Sequence, residues 1–259
     1  MSCAIITGAS SGIGREFVRQ LDAFSPVDTL YVIARREEKL RELQAFTRAK
    51  VVPLPLDLTD PSSGDVYAAF LRERAPKVKL FVCAAGFGKF EPFASGDRDA
   101  HNRMVDLNCR ALQELTYLTL PYMQRGGKMV LMASMSSFHP VPYIGLYGAT
   151  KAFVLSFARA LNAECRTQGK GIQVLALAPY WVRTDFFKVA QKDDLISNFP
   201  VMYEPSYVVR ACFRTLQKHP KKDVCVPGVY AAWQQRMVKL LPHKLVMEIW
   251  LRQQNLLSR

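Results

Sequence analysis

Two patterns of apolar residues alternate along the chain. Short unbroken runs, Cys3–Thr7, Thr29–Ala34, Val51–Leu56, Lys79–Cys83, Met129–Ala133 and Ile172–Ala178, read as strands. Each is apolar on both faces, as a parallel sheet covered by helices requires. Between them, Arg15–Phe24, Glu37–Ala49, Ser62–Arg74, Asp97–Gln124 and Tyr147–Thr167 carry apolar residues at helical spacing. Asp60-Pro61 gives the third of these a start signal, with proline tolerated in a first turn. The alternation predicts a single α/β domain over residues 1–259, a doubly wound parallel sheet with helices on both faces. The tail breaks the pattern. Val208–Gln217, Tyr230–Leu241 and Lys244–Leu256 read as helices divided at Pro220 and Pro242, the last two forming a helical C-terminal extension over 228–259.

Composition narrows this picture. A length of 259 residues suits one α/β unit, and 49% aliphatic, aromatic and cysteine residues with 22% charged residues excludes disorder, collagen and coiled coil. The uncharged stretch between Lys128 and Lys151 holds Ser134, Ser136, Ser137, Pro140, Pro142 and Gly145, so it is rejected as a membrane helix. No Lys/Arg plus apolar run opens the chain, so a secretory signal is not expected. Cys3, Cys83, Cys109, Cys165, Cys212 and Cys225 sit in apolar contexts without CxxC spacing and read as buried reduced thiols, which implies a cytoplasmic protein. The four histidines lack metal-ligand spacing, so no metal is expected. The net charge of +13 is concentrated after Ser206, where ten Lys/Arg face only Asp223 and Glu248. Such a field suits anionic ligands, acidic partners or an anionic membrane surface, or is simply a solvated basic face; nucleic acid is not an expected partner.

The candidate chemistry begins after the first strand, in Thr7-Gly8-Ala9-Ser10-Ser11-Gly12-Ile13-Gly14. Glycines permit a tight turn and close backbone approach to a pyrophosphate, and the helix that follows offers free N–H groups and the positive end of its dipole. Gly8, Ser10, Ser11, Gly12, Ile13 and Gly14 are the expected contacts. The spacing is GxxxGxG. With Thr7 before it and Ser10-Ser11 inside it, the segment resembles the short-chain dehydrogenase/reductase family, in its NADP-preferring bacterial-type members. That resemblance implies a Rossmann-like sheet. The second strand ends Ala34-Arg35-Arg36, where NAD-preferring Rossmann proteins place an acid on the ribose 2′-OH. Arginines instead of an acid predict NADP(H), with Arg35 the first choice to hold the 2′-phosphate and Arg36 the second. The resemblance assigns the adenine to Asp57 and the backbone of Leu58, and a cofactor shelf to Ala84, Ala85 and Gly86, where Cys83-Ala84 replaces the family's paired asparagines.

Tyr147 and Lys151 lie four apart on one helix face, and of the ten tyrosines only Tyr147 has lysine at that spacing. Carbonyl reduction needs an acid to protonate the oxyanion. A tyrosine can serve if a nearby cation lowers its pKa, and the same lysine can hold the nicotinamide ribose. A hydrogen-bond donor is expected from the loop after Met129–Ala133, and the family's spacing of thirteen residues selects Ser134 from Ser134, Ser136 and Ser137. The resemblance adds Asn108 as the anchor of a proton relay, and Pro179, Val182 and Thr184 as contacts to the nicotinamide, with Tyr180 in place of the usual glycine.

The resemblance runs from Ile5 to about Thr184 and weakens beyond. Residues 185–200 are the expected substrate lid, whose Phe186, Phe187, Leu195, Ile196 and Phe199 suit an apolar substrate. Trp233, Met237, Leu240 and Leu241 make one apolar face of the tail, and Val246, Ile249 and Trp250 another; core or subunit packing is expected and membrane contact is not favoured. The reading is an NADPH-dependent oxidoreductase of secondary alcohols and ketones, with an apolar ketone or hydroxysteroid-like molecule as substrate, acting as a homodimer or homotetramer. Its alternatives are a 3-oxoacyl thioester reductase, and a non-catalytic NADPH-binding or membrane-peripheral protein.

Overall fold

The computed structural model describes residues 2–191 and 195–257. In chain order it contains β1 (Ser2–Thr7), α1 (Gly12–Phe24), β2 (Thr29–Ala34), α2 (Glu37–Arg41), β3 (Lys50–Pro55), α3 (Ser63–Arg74), β4 (Lys77–Cys83), α4 (Arg98–Val105), α5 (Leu112–Thr119), β5 (Met123–Met132), α6 (Gly145–Thr167), β6 (Gln173–Leu177), β7 (Trp181–Val182), α7 (Phe186–Ala190), β8 (Met202–Tyr203), α8 (Pro205–Lys218), β9 (Val224–Cys225), α9 (Val229–Leu240) and α10 (His243–Gln253). The seven strands of the main sheet run in the order β3-β2-β1-β4-β5-β6-β9, all parallel; β7 and β8 form a small separate pair. The predicted Rossmann-like doubly wound sheet is present.

Each face of the sheet carries its own core, because both strand faces are apolar. Phe81, Leu131 and Val174 point with Tyr67, Leu115 and Val154 into one layer, under α3, α5 and α6. Ile6, Val32, Val82 and Leu175 join Phe17, Leu21, Val209 and Phe213 in the other, under α1 and α8. Strand order reverses between β1 and β4, and the crevice at their carboxyl ends is where doubly wound sheets bind ligands.

Several boundaries differ from the sequence reading for local reasons. The helix expected over Asp97–Gln124 is α4, a π-helical turn at Asp106–Ala111, α5 and a 3₁₀ turn at Leu120–Tyr122; Pro121 closes it and β5 already begins at Met123. The helix expected over Glu37–Ala49 is α2 followed by a 3₁₀ turn at Glu42–Phe46, and Thr47 ends it by donating its hydroxyl to Asp22 at 2.7 Å. The last tail helix stops at Gln253, with Asn255 left-handed just beyond (φ 55°).

Candidate active site

The site forms because backbones approach closely at the crevice. A Cβ on Gly8, which has φ 66°, would lie 2.7 Å from the Ala85 nitrogen, and one on Gly14 would collide with the Gly8 carbonyl. The glycine turn can therefore tuck against the end of β4. Thr7 supplies bracing there: its hydroxyl accepts from the Ala85 N–H at 3.0 Å and donates to the Cys83 Sγ at 3.7 Å. Position 83 thus keeps a tie to β1 without an asparagine.

A cavity of about 750 Å³ opens above this turn. One arm is lined by Ser10, Ser11, Gly12 and Ile13 at the start of α1, by Ala34, Arg35 and Arg36, and by Asp57 and Leu58. The α1 first turn contains no acid, and Ser11 at its N-cap makes no side-chain capping bond, so the N–H groups and dipole face the cavity. Arg36 reaches back to donate to the Ser10 hydroxyl at 3.2 Å, whereas Arg35 is 77% exposed and stands 3.9 Å from Asp57. Asp57 also accepts from the Thr59 N–H and hydroxyl, closing a turn. An anionic pyrophosphate, a phosphorylated ribose and an aromatic base match these walls in charge and in the narrow backbone approach.

The other arm holds the side chains expected to carry the chemistry. Ser134, Tyr147, Lys151, Ala84, Ala85, Gly86, Pro179, Val182 and Thr184 all line it. Lys151 is buried, and its ammonium donates to the Met132 carbonyl at 2.9 Å. Burial lowers the Lys151 pKa to about 8. Tyr147 does not move downward as the sequence suggested. Burial pushes its phenol up to about 12, against the pull of the Ser134 hydroxyl, and the lysine Nζ stands 5.7 Å from the ring centre. Ser134 is positioned by a 3₁₀ turn, Met135–Ser137, whose Ser136 N–H donates to its hydroxyl at 3.3 Å.

Asn108 is fully buried in the π-helical turn, which aims its amide at the loop after β4. It donates to the Phe87 carbonyl at 2.9 Å and to the Thr150 hydroxyl at 3.0 Å, and accepts from the Phe87 N–H at 3.2 Å. A Cβ on Gly86 would lie 2.9 Å from its Oδ1 and 3.2 Å from the lysine Nζ. Asn108 thus clamps the β4 loop to α6 beside Lys151.

Three features of the site escaped the sequence reading. Gly88 lets Tyr147 and Phe186 meet, since a Cβ there would lie 2.9 Å from each ring. Phe90 is the buried hub of an aromatic cluster, with Tyr147, Trp181, Phe186 and Phe187 centred 5.9–6.5 Å away. Gln234 brings α9 into the cavity wall beside His139 and Tyr180. Gly88 and Phe90 stand in the glycine- and aromatic-containing segment Gly86-Phe87-Gly88-Lys89-Phe90, a signal the sequence does carry, but Gln234 carries none. Residues 192–194 of the anticipated lid lie outside the described residues; its Phe186, Phe187 and Phe199 pack on Trp181 and Phe90. The tail divides. Trp250 stacks on Trp181 and donates to the Pro142 carbonyl at 3.1 Å. Trp233 and Leu240, expected in core or subunit packing, do not join the core of the chain: they are 57% and 80% exposed, because α9 turns Ala231 and Val238 inward instead. No helix among the described residues is long and apolar enough to cross a membrane.

Comparison with known proteins fits this arrangement. The profile of the short chain dehydrogenase family matches residues 2–195. The very-long-chain 3-oxoacyl-CoA reductase-B of Danio rerio is 30% identical over 251 residues, covering 94% of this chain and 77% of the relative. A short-chain dehydrogenase from Sphingobium yanoikuyae, solved in complex with NADPH, superposes with a TM-score of 0.78 at 27% identity, over 95% of both chains. A bulky-bulky ketone specific alcohol dehydrogenase from Comamonas testosteroni gives a TM-score of 0.73 at 25% identity, over 96% of this chain and 94% of that one.

Proposed function

Because the chain belongs to the short-chain dehydrogenase/reductase family, oxidoreductases of CH–OH and C=O groups, we propose that it is an NADPH-dependent reductase of bulky, largely apolar secondary ketones. One observation carries the reading. A single cavity runs from two arginines and an acid-free helix start, past Tyr147, to walls made of Val141, Ile144, Phe186, Phe187 and Trp250. The kinship with the NADPH-bound Sphingobium protein and the bulky ketone enzyme supports it.

Ser10, Ser11, Gly12, Ile13 and the start of α1 would hold the pyrophosphate. Arg36, drawn toward the glycine turn, would hold the 2′-phosphate with Arg35. Asp57 and Leu58 would face the adenine, and Ala84, Ala85, Gly86, Pro179, Val182 and Thr184 the nicotinamide end. When bound, the nicotinamide supplies a hydride to the carbonyl carbon. Tyr147 gives its phenolic proton to the carbonyl oxygen as charge builds there, and Ser134 donates a hydrogen bond to the same oxygen. A buried phenol pushed up to about 12 is fully protonated at neutral pH, which an acid catalyst requires. The Lys151 ammonium, 5.7 Å from the ring, stabilises the phenolate left behind. Asn108 fixes the Phe87 loop and anchors the return of the proton toward Lys151.

A specific feature favours a second reading, reduction of 3-oxoacyl thioesters. Lys89 and Arg103 line the cavity beside Asp97, and neither joins an ion pair among the described residues. Two cations around the single carboxylate of Asp97 leave a net positive charge that would suit the anionic end of a thioester carrier. A screen of NADPH oxidation over bulky ketones, steroidal ketones and 3-oxoacyl thioesters separates the two. Turnover of the neutral ketones is expected, and turnover of thioesters alone would select the second reading. Exposed Tyr117 on α5 and Phe153 on α6 support a homodimer or homotetramer, which sedimentation equilibrium tests. The six free cysteines support a cytoplasmic location.

A further inference from the structure

Among the described residues, six buried side-chain nitrogen or oxygen atoms have no hydrogen-bond partner, and four of them belong to residues that line the cavity: Ser136 Oγ, His139 Nδ1, Trp181 Nε1 and Gln234 Oε1. A buried polar group left unpaired costs about 1–3 kcal/mol, so their gathering around one cavity calls for an account. Ser136 packs against Gly148, next to Tyr147, and belongs with the catalytic end. The other three lie in the wall built by β7, α9 and the loop after β5. Tyr180 joins them there. Burial pushes its hydroxyl up to about 12; Trp181, Gln234 and Tyr230 all stand within reach of that hydroxyl, in contacts too poorly aligned to satisfy the indole N–H and the glutamine oxygen fully.

The chemistry of this patch is specific. Trp181 Nε1 can only donate and Gln234 Oε1 can only accept, while the Tyr180 hydroxyl does either. Burial and the neighbouring His243 push His139 down to about 4, so its imidazole is neutral at pH 7. None of the four residues carries charge. A carboxylate or phosphate would find no cation among them, and an ammonium no anion. A hydroxyl can accept from the indole N–H and donate to the glutamine oxygen together, and a carbonyl oxygen satisfies the donors alone.

We propose that Tyr180, Trp181, Gln234 and His139 form a neutral hydrogen-bonding pole of the substrate cavity, which binds a second oxygen function, a hydroxyl above all, remote from the carbonyl that is reduced. The substrate class is thereby a bulky apolar ketone bearing a distal uncharged oxygen. The proposal rests on the reductase reading for its account of which oxygen reacts. Phe186, Phe187 and Trp250, which line the same cavity and pack in one cluster with Tyr147 and Trp181, accommodate the apolar frame.

The test uses 2-decalone and a set of hydroxy-2-decalones with the hydroxyl on the ring remote from the carbonyl, with the full-length protein. Two readouts run in parallel: NADPH oxidation, and binding followed by tryptophan fluorescence in the protein with NADPH. At least one hydroxylated isomer is expected to exceed the parent by about tenfold to a hundredfold in kcat/KM and in affinity, because a site built around a hydroxyl penalises the analogue that lacks it. Gln234→Met and Tyr180→Phe each delete polar atoms at nearly constant volume, and in each the ratio of hydroxylated to parent ketone should fall toward one. A hydroxyl preference in binding that both variants erase, without turnover of any decalone, would uphold the pole and remove the ketone reductase reading. Turnover of the parent with no isomer preferred, a preference that both variants leave intact, or no hydroxyl-dependent binding at all, would overturn the pole.

Discussion

The helix α6 and the pair α9 and α10 both line the cavity, but the protein holds them in different ways. Along α6, Gly148, Thr150, Lys151, Val154, Leu155, Ala158, Asn162 and Cys165 are buried, and Val154, Leu155, Ala158 and Cys165 tie the helix into one of the two sheet cores. Along α9 only Ala231 and Val238 are buried, and along α10 only Val246. The tail is tied instead by discrete bonds: Trp250 to the Pro142 carbonyl, and Gln254 to the Ser197 and Asn198 N–H groups and the Asn198 carbonyl. A residue on the buried face of α6 has its geometry enforced by that core. A wall residue on α9 is enforced by few neighbours, so this wall can change chemistry with little effect on folding.

The sharpest way to break this comparison is to make the catalytic end graded. Tyr147→Phe keeps the packing with Phe90 and Phe186 and removes the proton donor. We expect NADPH affinity within a few-fold of wild type by fluorescence titration and turnover lower by about 10²–10⁴. Retained turnover would remove Tyr147 from the chemistry. Next comes the coenzyme arm. Arg36→Ala is expected to shift the preference from NADPH toward NADH by about 2 kcal/mol in kcat/KM, the scale of a hydrogen bond to a charged group. The more exposed Arg35 should matter less when changed to Ala. The reverse order would restore Arg35 as the main clamp.

On the tail side, Trp250→Ala removes the stack on Trp181 and the bond to Pro142. A loss of about 2 kcal/mol in chemical denaturation is expected, together with a raised KM for bulky ketones. The pH response is smaller. Lys151 faces the Cys83 and Cys109 thiols and the Tyr147 phenol, and its pKa is about 8. Its charge is lost as pH rises through that value, so kcat/KM for NADPH, which reports the coenzyme-free protein, should fall about tenfold per unit well above it. The stability effect has the opposite sign. The unfolded lysine, with its ordinary pKa of 10.5, binds more protons than the folded one between about 8 and 10.5, so this group's contribution to stability improves with rising pH across that window. The smallest effect belongs to Trp233→Ala. Its ring is mostly exposed, and a change within about 0.5 kcal/mol is expected. A large loss there would mean that α9 has a covered outer face, as in a subunit interface.

Much of this was legible in the sequence. Strands apolar on both faces and helices with one apolar stripe dictated a covered parallel sheet, and β2 was readable to the residue. The glycine turn, Tyr147 and Lys151 were legible because their spacing is itself the chemistry: a backbone that must touch a neighbour, and side chains one helical turn apart; Ser134 was singled out from three serines only by the family's spacing. The π-helical turn was not, since no residue type marks it, and it is what aims Asn108. The pKa of Tyr147 was misjudged in direction. A lysine four residues on is visible in sequence, but the burial that outweighs it is not.

By itself, the sequence determined the fold and the cofactor crevice through the order of apolar runs and glycines, and the placing of Tyr147 and Lys151 on one helix face through their spacing, because each depends on neighbours in sequence or on a periodicity along one element. Tertiary structure alone decided which arginine leans on Ser10, which tail tryptophan closes the cavity, and that Gln234, Tyr180, Trp181 and His139 share a wall. Those residues lie up to 95 positions apart, from His139 to Gln234, and belong to different elements. Their meeting depends on how α9 and α10 rest against the rim of the sheet, a matter of long-range packing that no local pattern encodes.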